Sequence, residues 1–177
     1  MRKMLGLVIV AGGLLLSSVA SGQVTKESVP GVSNFSKVGT TIACAGATTP
    51  AAVAGIKQLG YASIVNLRQP SEAGADVEAE EAAAKAAGIT YISLPFNAAS
   101  PDPTLVDRFL SAVTAAQNQP VFVHCASANR ASALWMIKRL LVDGWDPERA
   151  TAEASALGLT SGALKSFALD YAATHKK

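Results

Sequence analysis

The chain has 177 residues with 15 Lys and Arg against 13 Asp and Glu, and since Arg2 and Lys3 supply the excess, the other 13 basic residues balance the 13 acidic ones. A balanced chain without a basic run has no electrostatic footprint for nucleic acid. Two cysteines cannot build a disulfide scaffold, and no His and Cys cluster, HExxH or Gly-rich nucleotide loop implies a metal or cofactor.

Arg2 and Lys3 followed by the apolar run Met4 to Leu16 and then small residues read as a signal peptide over residues 1–22. Cleavage falls after Ala20, with Ser18 at minus three, or after Gly22, with Ala20 at minus three. The apolar run is shorter than the roughly 20 residues that span a bilayer. The expectation is an exported protein, periplasmic or secreted, with no membrane span in the mature chain. Removing residues 1–22 from 177 leaves 155, enough for one domain with its own core.

Residues 23–36 are polar, contain Pro30 and Gly31 and show no period, which predicts a flexible leader into a domain over 37–177. Thr40 to Cys44 is then expected as an edge strand. Thr49-Pro50 resembles an N-cap with proline at the first helical position, opening a helix that Gly60 stops. Ser63 to Leu67 predicts a strand, Glu72 to Ala87 a helix closed by Gly88, and Thr90 to Leu94 a strand. After a loop from Asn97 to Pro103, Leu105, Phe109, Leu110 and Val113 fall on one helical face. Pro120 to His124 predicts a buried strand and Arg130 to Val142 an apolar helix, with further helices from Asp146-Pro147 and from Ser161. This alternation implies an α/β fold: a mainly parallel sheet of four to five strands with helices on both faces. Trp135 and Trp145 read as core.

Chemistry concentrates in His124-Cys125-Ala126-Ser127-Ala128-Asn129-Arg130, where the buried strand ends and the apolar helix begins. Unpaired N–H groups and the positive end of the helix dipole stabilise a thiolate there. The N–H groups of Ala126, Ser127, Ala128 and Asn129, curled into a loop, suit a tetrahedral anion, and Arg130 adds a planar two-pronged donor. Cys125 is the expected nucleophile, Arg130 the oxyanion clamp and His124 a loop-orienting residue. Ser127 is also placed to assist the thiolate as leaving group.

The string HCASANRAS resembles the active loop of the cysteine-dependent phosphatases that include tyrosine and dual-specificity enzymes. Four residues between Cys125 and Arg130, the VNLR around Asn66 to Arg68, the ALW at Ala133 to Trp135 and the CAGATTP from Cys44 to Pro50 look most like the bacterial phosphatase-like domain of β-lactamase-hydrolase-like proteins. The resemblance runs from about residue 37 to 160. It implies a protein-tyrosine-phosphatase-like fold and hydrolysis of a phosphorylated substrate through a cysteinyl-phosphate, without a cofactor. Two departures stand out. Ala128 occupies a position where the family usually has glycine, and left-handed alanine costs roughly 1 kcal/mol. The leaving-group acid, an Asp in many members, is not matched where its loop should start, at Asn97, Ala98 and Ala99, and the nearest candidate is Asp102, with Asp107 behind it. A Cys-x4-Arg loop also suits a rhodanese-like sulfurtransferase, and Ala128 with a displaced acid suits a catalytically weak anion-binding or interaction module. The resemblance also places Cys44 beside the active loop, as the possible redox partner of Cys125.

Overall fold

The computed structural model describes residues 23–176. The expected signal peptide lies outside these residues. Among the described residues, six strands form one sheet: β1 (Val24–Lys26), β2 (Ser36–Val38), β3 (Ile42–Ala45), β4 (Ser63–Asn66), β5 (Thr90–Ser93) and β6 (Val121–His124), in the order β1-β2-β3-β6-β4-β5. The pairs β3–β6, β6–β4 and β4–β5 are parallel, whereas β1–β2 and β2–β3 are antiparallel. The helices are α1 (Val53–Gln58), α2 (Val77–Ala87), α3 (Pro103–Thr114), α4 (Asn129–Leu141), α5 (Pro147–Leu157) and α6 (Gly162–His175).

The sheet's alternation separates two cores. Ile42 and Cys44 of β3, Val65 of β4 and Val121 and Val123 of β6 face the side covered by α3, α4, α5 and α6. Ala43, Ala45, Ile64 and Phe122 face the side covered by α1 and α2. Burial on both faces is why the central strands read as unbroken apolar runs. Chain direction decides which helix goes where. From β3 the chain advances across the sheet through α1 to β4 and through α2 to β5, then returns through α3 to β6. Right-handed crossovers in opposite directions put their helices on opposite faces. The reversal leaves β6 between β3 and β4, and the crevice at the carboxyl ends of these strands is where such sheets take ligands.

Three expectations need correction. Residues 24–26, read as part of a flexible leader, form β1, and Ser36 from the same stretch opens β2. These strands are three residues each, β1 at the sheet edge and β2 between it and β3, and are too short for a period-2 pattern to mark them. Their addition makes β3 an interior strand and raises the count to six. The helix expected from Glu72 starts at Val77, because Gly74 adopts a left-handed φ of 71° and Asp76 accepts from the Ala79 N–H as N-cap. Thr49 makes no side-chain cap, and Pro50–Ala52 is a 3-10 turn leading into α1.

Candidate functional site

β6 is fully buried and delivers His124 and Cys125 to the carboxyl edge of the sheet. Successive side chains point to opposite faces. His124 therefore shares the α2 side with Phe122, and Cys125 joins the core beneath α4. The Cys125 N–H donates to Ala45 O at 3.2 Å and the Ala47 N–H to Ala126 O at 3.0 Å, so the loop is clipped to the segment after β3. A Cβ on Gly46 would stand 3.2 Å from Ala126 O as well as meeting Ser33, which explains glycine there.

Ala128 is buried at φ 73°, in the left-handed region, and its carbonyl accepts the Ser132 N–H of α4 at 2.9 Å. The backbone thus takes the turn that glycine takes without strain. Its methyl sits close to Gly158 in the α5–α6 loop, where an added Cβ would lie 3.1 Å away. Asn129 fastens the other side: its Oδ1 accepts from the Thr160 and Ser161 N–H groups, both at 2.8 Å, while its Nδ2 donates to Ser127 Oγ at 3.3 Å. The N–H groups of Ala126 and Ser127 donate to no protein acceptor among the described residues, and both residues are exposed. They are free to meet an anion.

Arg130 is buried, and sequence reasoning missed its main partner. Glu72 accepts its Nη1 at 2.5 Å and its Nη2 at 2.7 Å, while Leu67 O and Phe96 O accept Nη1 at 3.0 and 2.9 Å. A guanidinium has five N–H donors. These acceptors occupy the two on Nη1 and one on Nη2, leaving the Nε proton and one Nη2 proton as a two-pronged edge. Burial pulls the Arg130 guanidinium down, but Glu72 and the neighbouring Cys125 outweigh it and hold it above its ordinary value. The hydrogen bond from Arg130 lowers Glu72 to about 2, against the opposing effect of burial. Arg68, also buried, wraps the same loop, donating to Gly74 O at 2.7 Å and Ala73 O at 2.6 Å. The spacing Arg68-x3-Glu72 was the available signal, but it reads equally as an ordinary helical pair.

Beneath the loop lies a second polar cluster. Glu80 of α2, Asn66 of β4 and His124 of β6 are all buried. Asn66 Nδ2 donates to Glu80 Oε2 at 3.0 Å and to the Tyr91 hydroxyl at 2.7 Å, and that hydroxyl donates to Glu80 Oε2 at 3.3 Å. Burial pushes the Tyr91 phenol up, which keeps it a donor.

Asp102 lies elsewhere in role: it is exposed and its Oδ1 accepts the Thr104 N–H and hydroxyl, both at 2.9 Å, as N-cap of α3. Among the described residues no hydrogen bond joins it to the Cys125 loop. Asp107 accepts from the Tyr171 hydroxyl at 3.1 Å. Cys44 is buried and free, as is Cys125. Burial, then the neighbouring Cys125, pushes its thiol up, so it remains protonated. Cys44 pairs in register with Val123, so Cys44 and Cys125 point to the same face, two residues apart along the strands. With strands about 4.8 Å apart and a rise of about 3.3 Å per residue, that parallel diagonal spans about 8 Å. That exceeds the roughly 4.4 to 6.8 Å a disulfide spans. Trp135 is core, its Nε1 donating to Glu153 at 2.8 Å. Trp145 is half-buried between Arg139 and Arg149, 4.1 and 3.6 Å from its ring centre.

A cleft of ≈ 430 Å³ opens beside the loop, lined among others by Ser127, Asn129, Thr160, Asn34 and Lys26. No acid lines it.

Comparison with known proteins follows the same lines. A model of the family described as "Beta-lactamase hydrolase-like protein, phosphatase-like domain" matches residues 34–142. The β-lactamase hydrolase-like protein of Xylella fastidiosa (strain Temecula1 / ATCC 700964) is 34% identical over 107 residues, covering 58% of this chain and 23% of that protein. The chain therefore spans about a quarter of that relative's length. P. aeruginosa TpbA superposes with a TM-score of 0.65 at 23% identity, covering 90% of this chain and 92% of that one. The core catalytic domain of the PP-IP phosphatase SIW14 from S. cerevisiae gives 0.67 at 21% identity, covering 80% and 87%. The expected α/β, phosphatase-like fold is the one present.

Proposed function

Since the chain belongs to the family of phosphatase-like domains of β-lactamase hydrolase-like proteins, we propose that it hydrolyses phosphomonoesters through a cysteinyl-phosphate on Cys125. The observation that carries this reading is the guanidinium of Arg130, fixed by Glu72, Leu67 O and Phe96 O with one two-pronged edge left over beside Cys125. An arginine that only stabilised the fold would have no reason to keep its remaining edge against the Cys125 thiol, beside a loop whose N–H groups at Ala126 and Ser127 are free.

The Cys125 thiolate attacks phosphorus as the ester P–O bond breaks, and the leaving oxygen takes a proton from solvent water. Water then attacks phosphorus, the P–S bond breaks and the thiolate returns. The free edge of Arg130 and the N–H groups of Ala126 and Ser127 hold the equatorial oxygens, where charge spreads in the transition state. The cleft beside Ser127 and Asn129 receives the rest of the substrate. Support for a phosphorylated ligand comes also from TpbA, of which a complex with pTyr exists. The reading assigns the enzyme to the exported fraction, periplasmic or secreted, on the strength of the segment before residue 23.

The test pairs an aryl phosphate with thiosulfate plus cyanide. Cys125→Ser should abolish aryl phosphate hydrolysis while retaining tungstate binding, and Arg130→Ala should weaken both, costing about 2 to 4 kcal/mol of transition-state stabilisation. Hydrolysis persisting in Cys125→Ser overturns the mechanism, and thiocyanate formation without phosphate release favours the sulfurtransferase.

A further inference from the structure

The buried cluster on the α2 face is not needed to hold a phosphate, yet it ends on the residue before the nucleophile. His124 Nε2 stands 2.9 Å from Glu80 Oε1, with the ring not aimed straight along the line between them. Glu80 Oε2 already receives Asn66 and Tyr91, while Oε1 has no other donor. A carboxylate oxygen with relative side-chain exposure of 4% cannot be left bare at small cost, and the imidazole is the one donor in reach. From this we infer that Glu80 is a positioning residue: it accepts a hydrogen bond from the Nε2–H of His124, fixes the ring and thereby locks the peptide from which the Cys125 side chain springs. The lock complements main-chain ties, since His124 O accepts the Leu67 N–H at 2.9 Å and the Cys125 N–H donates to Ala45 O. Main-chain bonds fix the height of the loop entrance. The Glu80–His124 pair fixes its rotation, which sets the aim of the Cys125 sulfur. The catalytic consequence rests on the phosphatase reading; the proton assignment does not.

The experiment uses the full chain with labelled histidine. Only His124 and His175 are present, so His175→Asn assigns the ring signals. In the wild type, His124 Nε2 carries a proton in long-range ¹H–¹⁵N spectra; a bare Nε2 overturns the inference. Glu80→Leu, which fills the space without an acceptor, loses that signature and lowers kcat on aryl phosphate about 10- to 100-fold with KM changed little, the effect of a misaimed reacting atom. Glu80→Gln, whose amide oxygen still accepts the N–H while its NH2 faces the Asn66 donor, restores the signature and keeps kcat at least several-fold above the Leu variant. Wild-type kcat in Glu80→Leu, or a Gln variant as slow as the Leu variant, refutes the role. If Glu80→Leu does not fold, the wild-type spectrum and the Gln variant decide. If the wild type hydrolyses no phosphate ester, the phosphatase reading falls, while tungstate affinity still tests Glu80: Glu80→Leu weakens it several-fold, and equal affinity overturns the inference.

Discussion

Replacing Glu72 by Gln tests the anchor of the proposed clamp, and the structure sets the size of the effect. Glu72 accepts Arg130 through both oxygens, Arg68 Nε at 3.4 Å and the Gln69 N–H at 2.8 Å, and its carboxyl titrates at about 2 instead of 4.5. A depression of that size corresponds to a ceiling of about 3 kcal/mol. With the side chain 21% exposed, water screens part of it, and about 2 kcal/mol is the expected contribution. The sign follows from linkage: the folded value lies below the unfolded one, so the stabilisation is complete above the unfolded value and lost as pH falls through the folded one. Denaturant unfolding of wild type and Glu72→Gln at pH 7 should differ by about 2 kcal/mol or more, and the gap should close between about pH 4.5 and 2. A gap independent of pH would refute the assignment of Glu72 as the ionised partner of Arg130. In aryl phosphate assays at pH 7, the variant should lose about 10-fold in kcat/KM, because an Arg130 released from one edge no longer presents the other at a fixed angle.

Asp102→Asn should leave both stability and p-nitrophenyl phosphate turnover within about 3-fold of wild type, since asparagine caps a helix as well as aspartate does; a drop of 100-fold would identify Asp102 as the acid despite its bond to Thr104. Ala128→Gly should not accelerate the enzyme, because alanine already holds the left-handed turn. Relief of roughly 1 kcal/mol of strain is offset by loss of a buried methyl, worth about 0.8 kcal/mol, and by glycine's greater unfolded freedom. Melting curves should nearly coincide, and a rate gain of 5-fold or more would show that strain limits turnover. Mild peroxide treatment should oxidise Cys125 without forming a Cys44–Cys125 disulfide, since the diagonal register holds the two backbones too far apart. Intact mass lower by two hydrogens, with both thiols lost to alkylation, would contradict that geometry.

What the sequence made legible was local. A Val-Phe-Val run, a helix of apolar residues behind Arg130, and caps such as Asp146 and Ser161 announce themselves through period and turn chemistry. Cys125 and Arg130 stood out as candidates because the proposed chemistry needs them within one strand-to-helix turn. β1 and β2 were not legible, since strands of three residues held by main-chain pairing are too short to show a period in side chains. Glu72 and Glu80 were hidden for another reason. Both sit in a segment rich in Ala and Glu, where a carboxylate on a solvated helix face and one aimed inward are written with the same letter. Only tertiary structure reveals that Glu72 stops short of the helix and that Glu80 points under the sheet.

That hidden pair completes a division of labour across the sheet. Because adjacent residues of β6 point to opposite faces, His124 and Cys125 draw on different surroundings although they share a peptide bond. On the α4 side Cys125 meets Arg130, whose charge is balanced by Glu72 at the rim, so the anion site keeps a cation without burying an unpaired one. On the α2 side His124 meets Glu80, where the polar groups are enclosed. A carboxylate placed on the Cys125 side as deeply as Glu80 would repel both thiolate and phosphate. Placed behind the sheet, it reaches the proposed nucleophile only through the backbone, as the inferred positioning role requires. The strand at the topological reversal lies between β3 and β4 and ends at the ligand crevice, so a nucleophile following β6, as proposed for Cys125, has a neighbouring strand on either side.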